Sequence, residues 1–141
     1  MQYAIHTLLS RTAHAQENFL RPHLKKLGLS PGQPKVLRSL AFLGACTQKK
    51  LAEYCDVDPS AICRMLDCLE RDGFLERRPS PTDRRAGEVT LTEKGKRAFE
   101  EWEHECMALE DRMLHDFSPE EKRQLSDFLA RAYRSVGGQL L

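Results

Sequence analysis

At 141 residues the chain has the length of one domain, with 40% hydrophobic residues for a core and 30% charged residues, a share that fits long amphipathic helices. A net charge of +1 argues against a generic polyanion binder, and the lack of any run of 18 apolar residues excludes a transmembrane span. Residues 1–16 carry neither a basic start nor a small-residue cleavage site, so no signal peptide is expected.

The first predicted element is a long helix over about 2–26. Its apolar positions are Tyr3, Leu8, Leu9, Phe19, Leu20, Leu24 and Leu27. Pro22 interrupts the pattern and should kink the helix, and Gly28 ends it. Ser30-Pro31-Gly32-Gln33 has the pattern of a capping box. The second helix follows, with Val36, Leu37, Leu40 and Ala41 inward and Gly44 at its close.

A short helix over Gln48–Cys55 turns Leu51 and Ala52 inward. After the connector Asp56-Val57-Asp58 comes a helix with a clear start and stop. Asp58 is a candidate N-cap, Pro59 suits the first helical position, and Gly73 suits the left-handed position after the end. Between them Ile62, Met65, Leu66 and Leu69 form one stripe at helical period. Two short helices joined this tightly read as a helix-turn-helix. The period then changes to a strand over 74–78. A turn at Pro79-Ser80-Pro81-Thr82-Asp83 and a second strand, Glu88–Leu91, complete a winged helix.

Thr92 caps another long helix. Phe99, Trp102, Cys106, Leu109 and Met113 recur along it at intervals of 3, 4, 3 and 4. That is a heptad seam, which calls for a partner helix. Ser118-Pro119-Glu120-Glu121 opens the last helix with a capping box and a proline at its first position. Leu125, Phe128, Leu129, Ala132, Tyr133 and Val136 give this helix a wide apolar stripe, and Gly137-Gly138 ends it. The fold expected is mainly α. One unit spans 1–141, with a DNA-binding lobe over about 30–91, a two-stranded β wing, and flanking helices over about 2–26 and 92–137. Those helices carry more apolar surface than one small lobe covers. A dimer or an intramolecular three-helix bundle would each bury it.

The motifs Gln48-x-x-Leu51-Ala52, Arg64-Met65-Leu66-Asp67, Leu69-Glu70-x-x-Gly73, Asp83-Arg84-Arg85 and Leu91-Thr92-x-x-Gly95 resemble the MarR family of bacterial transcription regulators. The wing Asp-x-Arg followed at a fixed interval by Leu-Thr-x-x-Gly is the specific part. The flanking helices fit too, so the resemblance covers nearly the whole chain. It implies a homodimer paired through the terminal helices, reading a palindromic double-stranded operator with half-sites about one helical turn apart. It further implies a regulator, most often a repressor, that leaves DNA when a small-molecule effector binds.

The face offered to the groove is Ser60, Ala61, Cys63 and Arg64. Ser60 near the helix N-terminus can donate to a phosphate or act as a supplementary cap. The resemblance pairs Arg64 with Asp83, which would orient the wing, while direct base readout by Arg64 stays open. By the same resemblance Arg85 enters the minor groove, and Arg84 is expected to meet a phosphate. Thr47, Gln48 and Lys49 are expected to touch the DNA backbone. The family's ligand pocket lies between the dimer helices and the DNA-binding lobe, where His14, Arg38, Phe42 and Trp102 are the candidate lining residues. The charge layout fits: residues 1–46 carry 6 basic and 1 acidic side chains, residues 98–141 carry 5 and 10, and 77–85 holds four arginines against one aspartate.

Five cysteines, at 46, 55, 63, 68 and 106, form no Cys-x-x-Cys pair and fit a reduced, cytoplasmic chain. Cys63 and Cys68 lie roughly 7.5 Å apart along the helix axis, beyond disulfide reach. Cys63 replaces the threonine usual in the family. It is either a small spacer against a thymine methyl or a thiol sensor whose oxidation blocks groove entry. His6, His14, His23, His104 and His115 raise a metal-sensing alternative, but no pair has the i, i+4 spacing of a helical chelate. No metal or cofactor is expected, nor is an enzyme, since no phosphate loop, nucleophile elbow or paired-carboxylate signature is present. Remaining alternatives are a thiol- or metal-responsive regulator of the same fold, and a winged helix used only for protein–protein contact.

Overall fold

The computed structural model describes residues 3–82 and 87–138. The elements in chain order are α1 (Ile5–Leu27), α2 (Gln33–Leu43), β1 (Cys46–Thr47), α3 (Gln48–Cys55), α4 (Pro59–Arg71), β2 (Leu75–Pro79), β3 (Gly87–Leu91), α5 (Glu93–Met113) and α6 (Pro119–Ser135). The chain divides into two units, Met1–Cys106 and Met107–Leu141, with the boundary inside α5. No helix among the described residues is long and apolar enough to cross a membrane.

In the first unit α4 begins and ends where its local signals place it. The Asp58 carboxylate accepts from the Ser60 N–H at 3.1 Å. Gly73 takes φ 81, and the Phe74 N–H reaches back to the Leu69 carbonyl at 2.9 Å. Ile62, Leu66 and Leu69 are fully buried, and Met65 packs against the same core. That core gathers Val36, Leu37 and Leu40 of α2, Leu51 and Cys55 of α3, Phe74 just before β2, and Leu75 and Val89 of the strands.

The sheet has three antiparallel strands in the order β1-β3-β2. The wing hairpin β2–β3 pairs Leu75 with Leu91 through Pro79 with Gly87. The added strand, β1, pairs Cys46 with Val89 and Thr47 with Glu88. Two residues carry no period of their own, so only this long-range pairing reveals β1.

Helix α1 is one element from Ile5 to Leu27 with Pro22 inside it. Two local expectations are corrected. Ser30–Gln33 is half a capping box: the Ser30 N–H donates to the Gln33 side chain at 2.8 Å, but the helix starts later, with Gly32 as its N-cap. Gly32 adopts φ 88, ψ −25, and the Gln33 N–H donates to the Ser30 carbonyl at 3.1 Å. That is a type II turn, with Pro at its second position and Gly at the third, where positive φ is required. Ala41 is exposed, because the inward stripe of α2 runs instead through Ser39 and the partly buried Leu43.

The junction at Thr92 ties three elements together. Its hydroxyl donates to the Gly73 carbonyl at 2.6 Å and accepts from the Gly95 N–H at 3.1 Å, while its N–H donates to the Phe74 carbonyl at 3.1 Å. Lys94 adds a bond to the Asp72 carbonyl at 2.6 Å, its ammonium 4.4 Å from the centre of the Phe74 ring. The end of α4, the start of β2 and the start of α5 are thereby pinned at one point.

In the second unit α6 carries the expected box. The Ser118 N–H donates to the Glu121 carboxylate at 2.8 Å, and the Glu121 N–H donates to the Ser118 hydroxyl at 3.2 Å. The Ser118 backbone bond holds the Glu121 carboxyl below its ordinary range.

Candidate nucleic-acid interface

The flank of α4 opposite its buried stripe carries Ser60, Ala61, Cys63 and Arg64. Ser60 and Arg64 are exposed, and Ala61 and Cys63 half-buried. The Ser60 hydroxyl donates to the Asp58 carboxylate in a very short bond, so Ser60 joins the cap. That bond is also the main cause holding the Asp58 carboxyl below its ordinary range. With its one O–H donated to Asp58, the Ser60 hydroxyl has no hydrogen left to give a phosphate in this arrangement, and a phosphate at this helix end would meet backbone N–H groups instead.

Thr47 is the N-cap of α3, its hydroxyl accepting from the Lys50 N–H at 3.2 Å. Gln48 and Lys49 line a cleft of about 590 Å³ that runs along α3 and its connector to the start of α4, together with Glu53, Asp58 and Pro59. Asp83, Arg84 and Arg85 lie outside the described residues. The expected Arg64–Asp83 pair therefore lies outside them too.

A different ionic link joins α4 to the wing. Arg77 of β2 reaches Asp67 at 2.7 Å and Glu70 at 3.4 Å through Nη1, and its backbone N–H donates to Glu70 Oε2 at 3.2 Å. In the sequence Arg77 reads only as part of the basic run 77–85. Its alternation with Leu75 was the available signal, since residues two apart on a strand share a face.

A second cleft, of about 440 Å³, lies among α1, α2 and α5 in the first unit. Arg38 and Trp102 line it, with Leu20, Arg21, Leu24, Pro34 and Lys35. Arg38 is held by Glu103 at 3.2 Å. His14 and Phe42 are not among its lining residues. His14 is exposed one position beyond Ala13, which does face the cleft. Phe42 is 72% exposed and stacks on Tyr54, ring centres 5.9 Å apart. Among the described residues no group of three or more His, Cys, Asp or Glu could hold a metal ion.

All five cysteines are free thiols. Burial pushes the Cys46 and Cys55 thiols up, and the Cys55 thiol also donates to the Ser39 hydroxyl at 3.1 Å. Little thiolate forms at either site near neutral pH, and neither is open to reagent. Brief alkylation of the folded protein should therefore mark Cys63 and Cys68 ahead of Cys46 and Cys55, as read by peptide mass spectrometry. Equal labelling of Cys55 and Cys63 in folded protein would contradict this burial.

The MarR family model matches residues 29–86, from the turn before α2 to the segment between the wing strands. The HTH-type transcriptional regulator BilQ of Clostridium symbiosum (strain WAL-14163) is 33% identical over 116 residues, 80% of this chain and 78% of that protein. The HTH-type transcriptional repressor MdtR of Bacillus subtilis (strain 168) is 33% identical over 108 residues, 77% and 70% of the two chains. Among solved structures, a mutant MarR from E. coli complexed with operator DNA aligns with a TM-score of 0.80 at 27% identity, over 91% of this chain and 92% of that one. With the fold shared and the sequence matched through the helix-turn-helix and most of its flanks, the chain belongs to the MarR family of transcription regulators.

Proposed function

We propose that this protein is a dimeric repressor that reads a palindromic operator in double-stranded DNA and leaves it when a small molecule occupies the cleft among α1, α2 and α5. The observation that carries the reading is the exposed flank of α4 beside the basic wing sequence, in a chain that shares its fold with a regulator solved on operator DNA. Arg64 works from this flank, Arg85 reads the minor groove and Arg84 meets a phosphate, with Gln48 and Lys49 against the backbone. Repression is the reading favoured by MdtR, a relative named as a repressor. The cleft supports an organic anion with an apolar body: Arg21, Lys35 and the Glu103-paired Arg38 supply cations against one lining carboxylate, Glu17, and Leu20, Leu24, Pro34 and Trp102 supply apolar walls.

The test is enrichment of duplexes from a randomised pool by the purified full chain. The enriched sequences should be two-fold symmetric. Arg85→Ala should weaken binding to all duplexes and flatten the salt dependence by about one counterion. Should Arg64 act by holding Asp83, then Arg64→Ala, Asp83→Ala and the double variant would lose affinity equally. Additive losses would make Arg64 a base reader worth about 1–3 kcal/mol. Enrichment of nothing by the native protein would favour the winged helix as a protein-contact module.

A further inference from the structure

The hairpin β2–β3 leaves the core at Leu75, which is buried, and by Arg78 and Pro79 the strand is exposed. Arg77 stands at the point of departure. Its register partner Val89 is buried and is the last residue of β3 but one that β1 also grips. Beyond Glu88, the last residue that β1 pairs, backbone pairing fixes the two strands only to each other. The side chain of Arg77 ties the hairpin to α4 through Asp67 and Glu70, two residues three apart on one face of α4, beside the bond from its backbone N–H to Glu70.

That face is continuous with the DNA-facing flank, since Ser60, Cys63 or Arg64, Asp67 and Glu70 follow at helical spacing. The Arg77 side chain is only 28% exposed, and its Nε–H is buried with no hydrogen-bond partner among the described residues. Solvation therefore does little to hold the guanidinium where it is, and the two carboxylates do most. The link has a second consequence. Asp67 and Glu70 would otherwise present two negative charges beside the surface that must approach phosphates, and Arg77 offsets them.

We propose that Arg77 is a positioning residue: by bridging Asp67 and Glu70 it fixes the direction of the wing against α4, and so sets how well operator is told from other DNA. A wing held at one angle places its arginines in the minor groove only when α4 sits in register in the major groove. A wing free to swing reaches phosphates on any duplex. The inference rests on the DNA-binding reading above.

The test compares affinity for a duplex enriched from the randomised pool with affinity for its scrambled version, at one salt concentration. Two variants are needed, Arg77→Met and the paired change Asp67→Asn with Glu70→Gln. Each should lower the operator-to-scrambled ratio by about three- to tenfold, the effect of one or two charged hydrogen bonds at partly exposed positions. Arg77→Met should weaken binding to both duplexes, because it uncovers two carboxylates. The paired neutral variant should strengthen binding to the scrambled duplex while still losing the ratio. Partial unfolding lowers both affinities by the same factor, so a merely structural role leaves the ratio untouched. An unchanged ratio in both variants would overturn the proposal. A loss confined to Arg77→Met would also overturn it, making Arg77 a direct DNA contact. Failure of the native protein to enrich any duplex would overturn the DNA-binding reading as well, and is told apart from these outcomes by the native arm alone.

Discussion

Replacing Gly95 with alanine is expected to destabilise the protein by about 3 kcal/mol or more, at the upper end of overpacking effects. A Cβ at this position would lie 1.9 Å from the Phe74 carbonyl oxygen, 3.0 Å from the Phe74 carbonyl carbon and 3.2 Å from Leu91 Cδ2. The nearest obstacle is backbone, so no side-chain rotation relieves it. Nor can that backbone retreat cheaply, because the Phe74 carbonyl accepts from the Thr92 N–H and the Phe74 N–H closes α4. Helix α5 would have to back away, breaking the Thr92 bonds to Gly73 and Gly95. Gly87→Ala is the control: among the described residues the added methyl would meet only the Arg78 carbonyl, at 3.6 Å, an ordinary contact. Urea midpoints of the two variants measure the difference. Equal, small shifts would mean that the junction yields, and the glycine of Leu91-Thr92-x-x-Gly95 would then need another explanation.

That junction shows what the sequence makes legible. Helix α4 could be read almost residue by residue, because cap, proline, apolar stripe and stop all act within a few positions of one another. The same holds for the box at Ser118. The turn at Ser30–Gln33 misled because serine and glutamine at box spacing also suit a type II turn, and Pro31-Gly32 decides for the turn. Contacts between distant segments were the harder part. Strand β1 exists only through its pairing with Val89 and Glu88, and the Arg77 link spans ten residues from helix to strand. The α1 wall of the cleft among α1, α2 and α5 runs Ala13, Gln16, Glu17, Leu20, Arg21 and Leu24, a regular helical face. His14 sits about 100° around the helix from Ala13, off that face.

Aspartate at Phe128 and Tyr133 together should turn a dimer into a monomer and cut affinity for the palindromic duplex by about 10²–10⁴-fold, the effective-concentration advantage of two linked half-sites. Helix α6 has an apolar stripe and no buried residue. Phe128 is 58% exposed, Leu129 43%, Tyr133 42% and Val136 83%. Tyr3, just before α1, and Ile5, Leu8 and Leu9 in its first turns show similar exposure. Large apolar side chains clustered on a helix face are the surface that the proposed dimer would cover. The native protein should sediment at about twice its 16.2 kDa chain mass, and the variant at that mass. Unchanged far-ultraviolet dichroism would separate dissociation from unfolding, since neither side chain is buried in the protomer. A duplex with a single half-site supplies the decisive comparison. The variant should bind it as well as the native protein does, because each recognition helix is intact and only the coupling between two copies is gone. Equal loss on both duplexes would place the damage in the DNA-binding lobe, and a variant that stays dimeric would assign the interface to residues other than these.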